Sequence, residues 1–359
     1  MITEILVHRV SVPLLRPFVT AQRSASAHDA VLVELHDDSG RSGWGEAPCS
    51  WRVTGESPAG VTAAVTGPLA DVVVGRAVAD LAELADALGS AVIRNSAAKM
   101  AVDCALHDLA AQETGESLAV FLGGPDAARI RVTTDMTLSA GNPDDVAALA
   151  REHRDAGFDT LKVKCGGGGD DQALLRAVRD AVGASVVLRV DANQGWDREQ
   201  AIRIIRFWEN DGVDVAFVEQ PVAARAIDDL AAVRRAVDTP VLADESVWDH
   251  YDLHELIRRQ AADMVNIKLA KSGGIREAMR MARQAKDAGI GVLIGSMMES
   301  TVGIAAAASL SASVGLTAPQ DLDAGLWLSA SPVVGGARYD GRNVQLSPAT
   351  GLGIEGLSG

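Results

Sequence analysis

Ionisable and hydroxyl side chains recur at regular intervals along the middle of this 359-residue chain. Each lies at or beside the end of a short apolar, strand-like stretch, and successive members are 24 to 28 residues apart. They are Lys164, Asp191, Glu219, Asp244, Lys268, Ser296 and Asp323. One strand and one helix fill such an interval, and the carboxyl ends of the strands in a parallel barrel share one face. The pattern therefore predicts a single cavity where lysines meet carboxylates, a setting for cation binding and proton transfer.

Three of these carboxylates, Asp191, Glu219 and Asp244, follow consecutive strands. Three anions in a dry pocket repel one another and take up protons unless a cation lies among them. Ligands that are all oxygen favour Mg²⁺ over Zn²⁺. Glu245 is an alternative to Asp244, but its side chain should point to the other face of the strand. Asn193 could orient a metal-bound water or a substrate carboxylate. The structural alternative is that the three carboxylates cap helices or pair with basic side chains.

Lysines lie inside two of the apolar strand-like stretches. Lys162 and Lys164 are two residues apart, so they point the same way from one strand. Lys268 belongs to a strand four places round the predicted barrel. Strand lysines usually protect exposed sheet edges, which a closed barrel does not have. Two lysines on opposite walls with a divalent cation between them suit removal of a proton next to a carboxylate, and nearby cations would lower a lysine's pKa for that task.

The elements that must position these groups alternate in type from Arg131 onward. The strand-like stretches are Val132–Leu138, Thr160–Cys165, Ser185–Ala192, Val215–Gln220, Pro240–Glu245, Met264–Ala270, Gly291–Met297 and, more weakly, Gln320–Ala324. The helical patterns between them include Asp144–Ala156, Asp171–Val182, Arg198–Asp211 and Gly274–Ala288. Eight strands within about 195 residues favour a (β/α) barrel over an open parallel sheet.

The first part of the chain has a different pattern. Strand-like stretches are broken by a turn at Asp37–Gly40 and followed by Ala-rich helical segments. This order is typical of an α+β unit. The predicted helical segments lie near 57–72, 78–88 and 95–114. We predict three parts: an α+β domain over 1–125, the barrel over 126–325, and a C-terminal segment, 326–359, that packs back on the first domain.

Composition and charge exclude several classes of function. A net charge of −15 lacks the cationic surface that nucleic acids or anionic membranes need. No apolar run reaches the roughly 18 residues of a membrane helix, and the acidic, strand-like start is not a signal peptide. The three cysteines, which are far apart and odd in number, are typical of reduced cytosolic thiols. We therefore expect a cytoplasmic protein that acts on a small molecule.

Several motifs together resemble those of the enolase superfamily, in its muconate-lactonizing-enzyme subgroup. They are Gly43-Trp44-Gly45-Glu46-Ala47-Pro48, Lys162-x-Lys164, Asp191-Ala-Asn193-Gln-Gly-Trp196, Val218-Glu219-Gln220-Pro221, Ala243-Asp244-Glu245-Ser246 and Asn266-x-Lys268. The resemblance covers essentially the whole chain. It implies an α+β capping domain on a modified (β/α)7β barrel, completed by the C-terminal tail, with one Mg²⁺ per active site. We also expect a homo-oligomer.

The resemblance implies a two-base 1,1-proton transfer. A substrate carboxylate would bind Mg²⁺ held by Asp191, Glu219 and Asp244. Lys164 would remove the proton on the α carbon from one face, and Lys268 would return it to the other, through an enediolate. Substrate contact and electrostatic assistance would come from Lys162.

The last predicted strand points to a dipeptide as the substrate. Asp321 and Asp323 add two carboxylates beyond the three needed for the metal, so they should attract an ammonium group and repel a second carboxylate. This Asp-x-Asp pair resembles a motif of dipeptide epimerases, which also implies Thr137 and Ser296 as substrate contacts. Met298 is a candidate for the side-chain pocket or simple core filler. A helix cap is the alternative role for the two aspartates.

Arg23 lies in a first-domain loop of the kind that closes over the barrel mouth in this family. Matching it to the family's loop arginine implies recognition of an acidic side chain, as in L-Ala-D/L-Glu. The alternative is a solvated surface arginine.

Other reactions share much of this constellation. Within the superfamily, o-succinylbenzoate synthases, N-succinylamino acid racemases and muconate cycloisomerases are the alternatives. Outside it, Lys164 could form a Schiff base in an aldolase, or the barrel could bind a sugar or peptide without catalysis.

Overall fold

The computed structural model describes residues 1–125 and 130–359. The division into 1–125, 126–325 and 326–359 stays a prediction, and its first boundary adjoins residues 126–129, which lie outside the described part.

An antiparallel sheet begins the N-terminal domain. Its strands are β1 (Ile2–Val19), β2 (Ser24–Asp37) and β3 (Ser42–Pro48), in that spatial order. The predicted turn at Asp37–Gly40 joins β2 to β3, and Gly40 adopts the positive φ of +80° that such a turn requires.

Helices cover one face of this sheet. They are α1 (Pro58–Ala64), a π turn at Val65–Leu69, α2 (Ala70–Val73), a 3₁₀ turn at Val78–Asp80, α3 (Leu81–Ala91), α4 (Ser96–Thr114) and α5 (Leu118–Phe121). The Ala-rich α4 is largely buried because it lies directly on β3. Close contact is possible because Gly45 has no side chain: a Cβ atom there would overlap the carbonyl oxygen of Ala101. The three predicted helical segments are thus confirmed.

Parallel strands form most of a barrel. They are β5 (Met136–Leu138), β6 (Thr160–Lys164), β7 (Val187–Asp191), β8 (Val215–Glu219), β9 (Val241–Ala243), β10 (Met264–Lys268) and β11 (Gly291–Gly295). They pair in chain order from β5 to β11. Preceding them is the short β4 (Val132–Thr133).

An eighth, very short strand closes the ring. Asp321 bridges to Gly295 after β11, and Gln320 bridges to Thr134 beside β5. Two expectations need correction here. Instead of continuing to Ala324, the eighth strand gives way to a 3₁₀ turn at Ala324–Trp327. The single strand expected over Val132–Leu138 is split, because β4 pairs with a tail strand instead.

Helices surround the barrel, and most of the longer ones are amphipathic. They are α6 (Pro143–Asp155), α7 (Asp171–Val182), α8 (Arg198–Asp211), α9 (Ile227–Ala236), α10 (His250–Arg259), α11 (Leu269–Ser272), α12 (Ile275–Asp287) and α13 (Thr301–Val314). Both α7 and α8 match their predicted bounds, because capping aspartates fix where they begin: Asp170 accepts from Ala173 N–H, and Asp197 forms a capping box with Gln200.

The tail packs on both parts of the molecule. Its strands are β12 (Val333–Gly335), β13 (Arg338–Asp340), β14 (Asn343–Gln345) and β15 (Ile354–Leu357). Of these, β14 pairs with β4, whereas Leu352 N–H donates to the buried carboxylate of Asp108 on α4. Asp108 also accepts from Trp44 N–H, so one side chain joins the tail to the N-terminal sheet.

Across the described ranges, no single helix is long and apolar enough to cross a membrane. One bent pair, Pro58–Val73 with Val78–Ala91, meets that criterion by combined length and composition.

Candidate active site

The polar ends of the barrel strands meet at one cavity of about 1170 Å³. The predicted site residues that line it are Arg23, Thr137, Lys162, Lys164, Asn193, Asp244, Glu245, Lys268, Ser296, Met298, Asp321 and Asp323. Two others, Asp191 and Glu219, are fully buried and contact lysines of the lining. The structure therefore brings predicted residues from the N-terminal domain and from the barrel to one place.

Strand register aligns the first lysine with two carboxylates. Lys164, Asp191 and Glu219 are Cα partners across β6, β7 and β8. The Lys164 ammonium lies 2.6 Å from Asp191 Oδ2. The side chain thus projects from the carboxyl end of its strand into the predicted charge cluster.

Lys162 is almost completely enclosed, with 2% of its surface exposed. Its ammonium lies 2.6 Å from Asp321 Oδ2, 3.3 Å from Glu219 Oε2 and 3.5 Å from Asp191 Oδ2. One cation therefore links the predicted metal ligands to the carboxylates of the closing strand.

Lys268 lies across the barrel from Lys164. Their strands, β10 and β6, are four places apart in a ring of eight. The Lys268 ammonium is 2.8 Å from Asp244 Oδ2 and 4.0 Å from Glu219 Oε1. The two lysines thus approach the same carboxylate cluster from opposite walls.

Burial and neighbouring charge set the protonation of the predicted metal ligands. Burial raises the pKa of Glu219 to about 8, and the charge of Asp191 adds to this effect. Burial also acts to raise the pKa of Asp191 and Asp244, but the ammonium groups of Lys164 and Lys268 respectively outweigh it, so both pKa values lie below the ordinary range.

Burial and neighbouring carboxylates act in opposite directions on the pKa values of Lys162 and Lys268. Burial acts to lower the pKa of Lys162 and Lys268, but Asp321 and Asp244, respectively, raise both pKa values above the ordinary range. Direct contact between each ammonium and a carboxylate is the physical reason.

The three predicted Mg²⁺ ligands fit a hard cation in chemistry and in surroundings. They offer only oxygen donors, and none is more than 3% exposed. Nearby, within the described part of the chain, the buried atoms Asp244 Oδ1, Glu245 Oε2 and Asn193 Oδ1 accept no hydrogen bond. Asp244 Oδ1 instead lies 2.5 Å from the Lys271 ammonium, as an ion pair. Glu245 Oε2 and Asn193 Oδ1 are thus buried oxygens without a donor among the described residues, an environment suited to a nearby cation.

A second group of carboxylates lies where the barrel closes. Asp135, Asp321 and Asp323 each place one oxygen within 4.8 Å of the other two. Burial raises the pKa of Asp135 to about 7, with the charge of Asp321 as the next cause. Burial likewise raises the pKa of Asp323. Against burial, the Lys162 ammonium holds the pKa of Asp321 at about 2.

Hydrogen bonds fix the two aspartates of the predicted Asp-x-Asp pair differently. Asp321 contacts Lys162, whereas Asp323 accepts from Thr137 N–H at 2.8 Å and from the Trp327 indole at 3.0 Å. Thr137 is therefore joined to this pair through its backbone. Asp323 also precedes the 3₁₀ turn, but its side chain makes no capping hydrogen bond there.

Arg23 lies where a loop of the N-terminal domain meets the barrel. Its guanidinium donates to Ser50 Oγ at 2.7 Å, and burial lowers its pKa. The neighbouring Gln22 donates to the backbone carbonyl of Asn193, on the loop after β7. Arg23 therefore faces the cavity as a half-buried cation.

Glu245 differs from its predicted orientation. It lines the same cavity as Asp244 and accepts from Asn193 Nδ2 at 3.4 Å and Gln194 Nε2 at 3.2 Å. The reason is that β9 ends at Ala243, so the strand alternation of side chains does not continue to this position. Burial raises the pKa of Glu245 to about 7, with the charge of Asp244 as the next cause.

Three polar residues near the site were not predicted as site residues from the sequence: Lys271, Asn266 and Arg189. Lys271 is buried and donates to the carbonyls of Asp244 and Asn266. Asn266 itself donates to Glu219 Oε1 at 2.8 Å. Arg189 pairs with Asp135 at 2.8 Å. Each is a polar residue within an apolar stretch, the signal that identified the other lysines.

Comparison with known proteins extends these observations. Residues 2–123 match the profile of the mandelate racemase / muconate lactonizing enzyme N-terminal domain, and residues 145–356 match the enolase C-terminal domain-like profile. The chain is 37% identical over 358 residues to the L-Ala-D/L-Glu epimerase of Clostridium acetobutylicum, covering 99% of each protein.

Solved structures agree with this similarity. A substrate-liganded complex of the L-Ala-D/L-Glu epimerase from Bacillus subtilis superimposes with a TM-score of 0.96 at 37% identity, over 99% of both chains. A dipeptide epimerase from Enterococcus faecalis V583, complexed with Mg and L-Leu-L-Tyr, gives 0.93 at 35% identity over 98% of this chain and 99% of that one. The predicted capping domain and modified barrel are therefore confirmed, and the chain belongs to the mandelate racemase / muconate lactonizing enzyme family of the enolase superfamily.

Proposed function

We propose that the protein is a Mg²⁺-dependent dipeptide epimerase that inverts the α carbon of the C-terminal residue. The observation that carries the proposal is the pair of lysines, Lys164 and Lys268, on opposite walls of one carboxylate-lined cavity. The full-length similarity to proteins named as dipeptide epimerases supports it.

Lys164 and Lys268 would act as the two bases. One takes the proton on the α carbon from one face, and the other delivers a proton to the opposite face, so the configuration inverts. Lys162, which lies between the two groups of carboxylates, would hold positive charge beside the substrate carboxylate as the proton leaves.

Asp191, Glu219 and Asp244 would hold the metal. When bound, Mg²⁺ would supply positive charge for the substrate carboxylate and for the charge that develops on loss of the α proton. These three carboxylates attract the lysine ammonium groups that contact them. A bound Mg²⁺ would balance the carboxylate charge and thereby lower the pKa of those lysines towards that of a useful base.

Asp321 and Asp323 would bind the free ammonium group of the dipeptide. Asp321 lines the cavity beside Lys162, and Asp323 lines it beside Thr137 and Trp327. A succinylated amino acid would bring a carboxylate to this acidic region and be repelled, so we favour a dipeptide over that alternative.

Arg23 would bind an acidic side chain of the substrate, as in L-Ala-D/L-Glu. Its half-buried side chain faces the cavity with a serine hydroxyl as its side-chain acceptor, and a guanidinium binds a carboxylate more strongly than a neutral acceptor. Ser296 and Met298 would complete the substrate pocket. A cytoplasmic location and homo-oligomeric assembly stay predictions of the sequence.

The test is to incubate the protein with L-Ala-L-Glu in D₂O, with Mg²⁺ and with EDTA. We expect deuterium at the glutamate α carbon and formation of L-Ala-D-Glu only with the metal. Exchange into an N-succinylamino acid but not into any dipeptide would replace the proposal with the racemase alternative. Borohydride trapping of a carbonyl substrate with EDTA-insensitive turnover would indicate an aldolase.

A further inference from the structure

A buried carboxylate of the N-terminal domain reaches into the barrel. Glu46, at the end of β3, is fully buried. It accepts hydrogen bonds from Ser300 N–H at 2.9 Å, Ser300 Oγ at 2.7 Å and Gly303 N–H at 2.9 Å, and contacts His28 Nε2 at 2.7 Å. These donors include free N–H groups at the start of α13, where a negative charge is favourable.

The segment just before α13 is a wall of the cavity. Ser296–Ser300 joins β11 to α13, and Ser296, Met297 and Met298 face the cavity. At its barrel end, Ser296 N–H donates to the Asp321 carbonyl at 3.0 Å. At its other end, Ser300 is held by Glu46. Five residues are thus fixed at both ends, one end by each part of the molecule.

The same arrangement recurs at the neighbouring helix. Asp103, on α4, accepts from Ile275 N–H at 2.6 Å, at the start of α12. This approach requires glycine at position 274, because a Cβ atom there would overlap the Asp103 carboxylate. The segment fixed in this way follows Lys268 directly. Carboxylates of the N-terminal domain therefore hold the segments after β10 and after β11.

We propose that Glu46 is a positioning residue, which fixes the cavity wall of Ser296, Met297 and Met298 from the N-terminal domain. The proposal rests on the proposed function for its kinetic consequence. Glu46 does not touch the cavity and acts through Ser300, so its loss should weaken substrate binding more than the proton transfer between the lysines.

The test compares Glu46→Gln with a matched control, Asp108→Asn. Both residues are buried carboxylates of the N-terminal domain that accept two backbone N–H groups, but Asp108 holds the tail and not the cavity wall. Amide substitution leaves one acceptor oxygen in each case, so both variants should lose stability. Only Glu46→Gln should raise KM for the dipeptide, by about tenfold with kcat changed much less, because displaced binding groups cost affinity.

Two further measurements keep the test decisive. If Glu46→Gln does not fold, Ser300→Ala takes its place in the test. This variant removes one hydrogen-bond donor to Glu46 and should also raise KM for the dipeptide. Amide hydrogen exchange in residues 296–303, measured without substrate, should be faster in Glu46→Gln than in the unaltered protein. It should be unchanged in Asp108→Asn. Equal KM values in the two folded variants, or unchanged exchange in that segment, would overturn the proposal. Absence of dipeptide turnover by the unaltered protein would overturn the proposed function alone, since hydrogen exchange still tests the loop.

Discussion

At the scale of single residues, we propose that two aspartates where the barrel closes select the substrate. Asp321 and Asp323 are both buried, and Asp321 binds Lys162 while also lining the cavity. Their residue types and spacing were readable in the sequence. Their different hydrogen-bond partners were not, because Thr137 and Trp327 reach Asp323 only through the closure of the ring.

Asp321→Asn should remove the preference for a free amino group. A charge-assisted hydrogen bond contributes about 1.5–3 kcal/mol, so kcat/KM for L-Ala-L-Glu should fall by about 10- to 100-fold. The same dipeptide carrying an N-acetyl group should lose much less. The measurement is the ratio of the two kcat/KM values, and a ratio equal to that of the unaltered protein would contradict the role of Asp321.

Arg23→Met should change selectivity for the C-terminal side chain. Without the guanidinium, kcat/KM for L-Ala-L-Glu should fall by about tenfold or more, whereas a neutral analogue such as L-Ala-L-Gln should be affected less. Arg52→Met is the control, because Arg52 is an exposed arginine on the same cavity. Equal effects of both substitutions on both dipeptides would indicate that Arg23 is a solvated surface arginine that does not bind the substrate side chain.

Glu299 should make stability depend on pH. Burial raises its pKa to about 8, with Glu46 as the next cause, and its Oε2 accepts no hydrogen bond from the described residues. Between its ordinary value and about 8, the folded protein therefore binds a proton that the unfolded chain has lost, so stability falls as pH rises through this range.

Glu299→Gln should remove that contribution, which is about 1.4 kcal/mol for each unit by which the pKa is raised. Urea unfolding at pH 5 and pH 8.5 measures it, with the exposed Glu355→Gln as the control. A variant whose stability changes with pH as much as that of the unaltered protein would show that Glu299 ionises normally.

At the scale of elements, the loops after β6 and β7 support each other. Gly166 follows the strand of Lys164 and has a φ of +77°. A Cβ atom there would lie 2.5 Å from the carbonyl oxygen of Ala192 and 2.9 Å from Gly195 Cα. Ala192 directly follows the predicted metal ligand Asp191. Backbone contact therefore joins the loop after Lys164, the proposed base, to the loop after this ligand.

Gly166→Ala should therefore reduce activity by about tenfold or more, because a small displacement of catalytic groups is costly. Gly168→Ala is the matched control: its φ is +84°, but no atom lies within 4 Å of its Cβ position. That substitution should cost about 1 kcal/mol in unfolding free energy and leave kcat/KM unchanged. Equal kcat/KM in the two variants would contradict this account of the loops.

Elements with local signals were predictable, and those set by tertiary contacts were not. The aspartate caps of α7 and α8 are encoded in adjacent residues, so both helices match their predicted bounds. The eighth strand consists of only two bridges, one from Asp321 to Gly295 on β11 and one from Gln320 to Thr134 beside β5. These partners are distant in the chain, so its length depends on tertiary contacts. Glu245 turns into the cavity because β9 ends early, which the alternation of side chains could not reveal.

At the scale of the whole molecule, closure of the barrel brings the two lysines of the proposed proton transfer to opposite sides of one cavity. Lys164 and Lys268 are more than a hundred residues apart in sequence and face each other only because eight strands close. Their separation by four strand intervals was countable in the sequence, so their opposition was predictable. The contacts of Glu46 and Asp103 with barrel helices were not, since no local pattern indicates where the N-terminal domain meets the barrel.

The central claim is that these two lysines serve opposite faces of one α carbon. The most direct test is α-proton exchange in D₂O by Lys164→Gln and Lys268→Gln, each given L-Ala-L-Glu and L-Ala-D-Glu separately with Mg²⁺. The account predicts that each variant still exchanges one epimer and no longer the other, with opposite choices in the two variants. Exchange of the same epimer by both variants, or undiminished exchange of both epimers by either one, would contradict it.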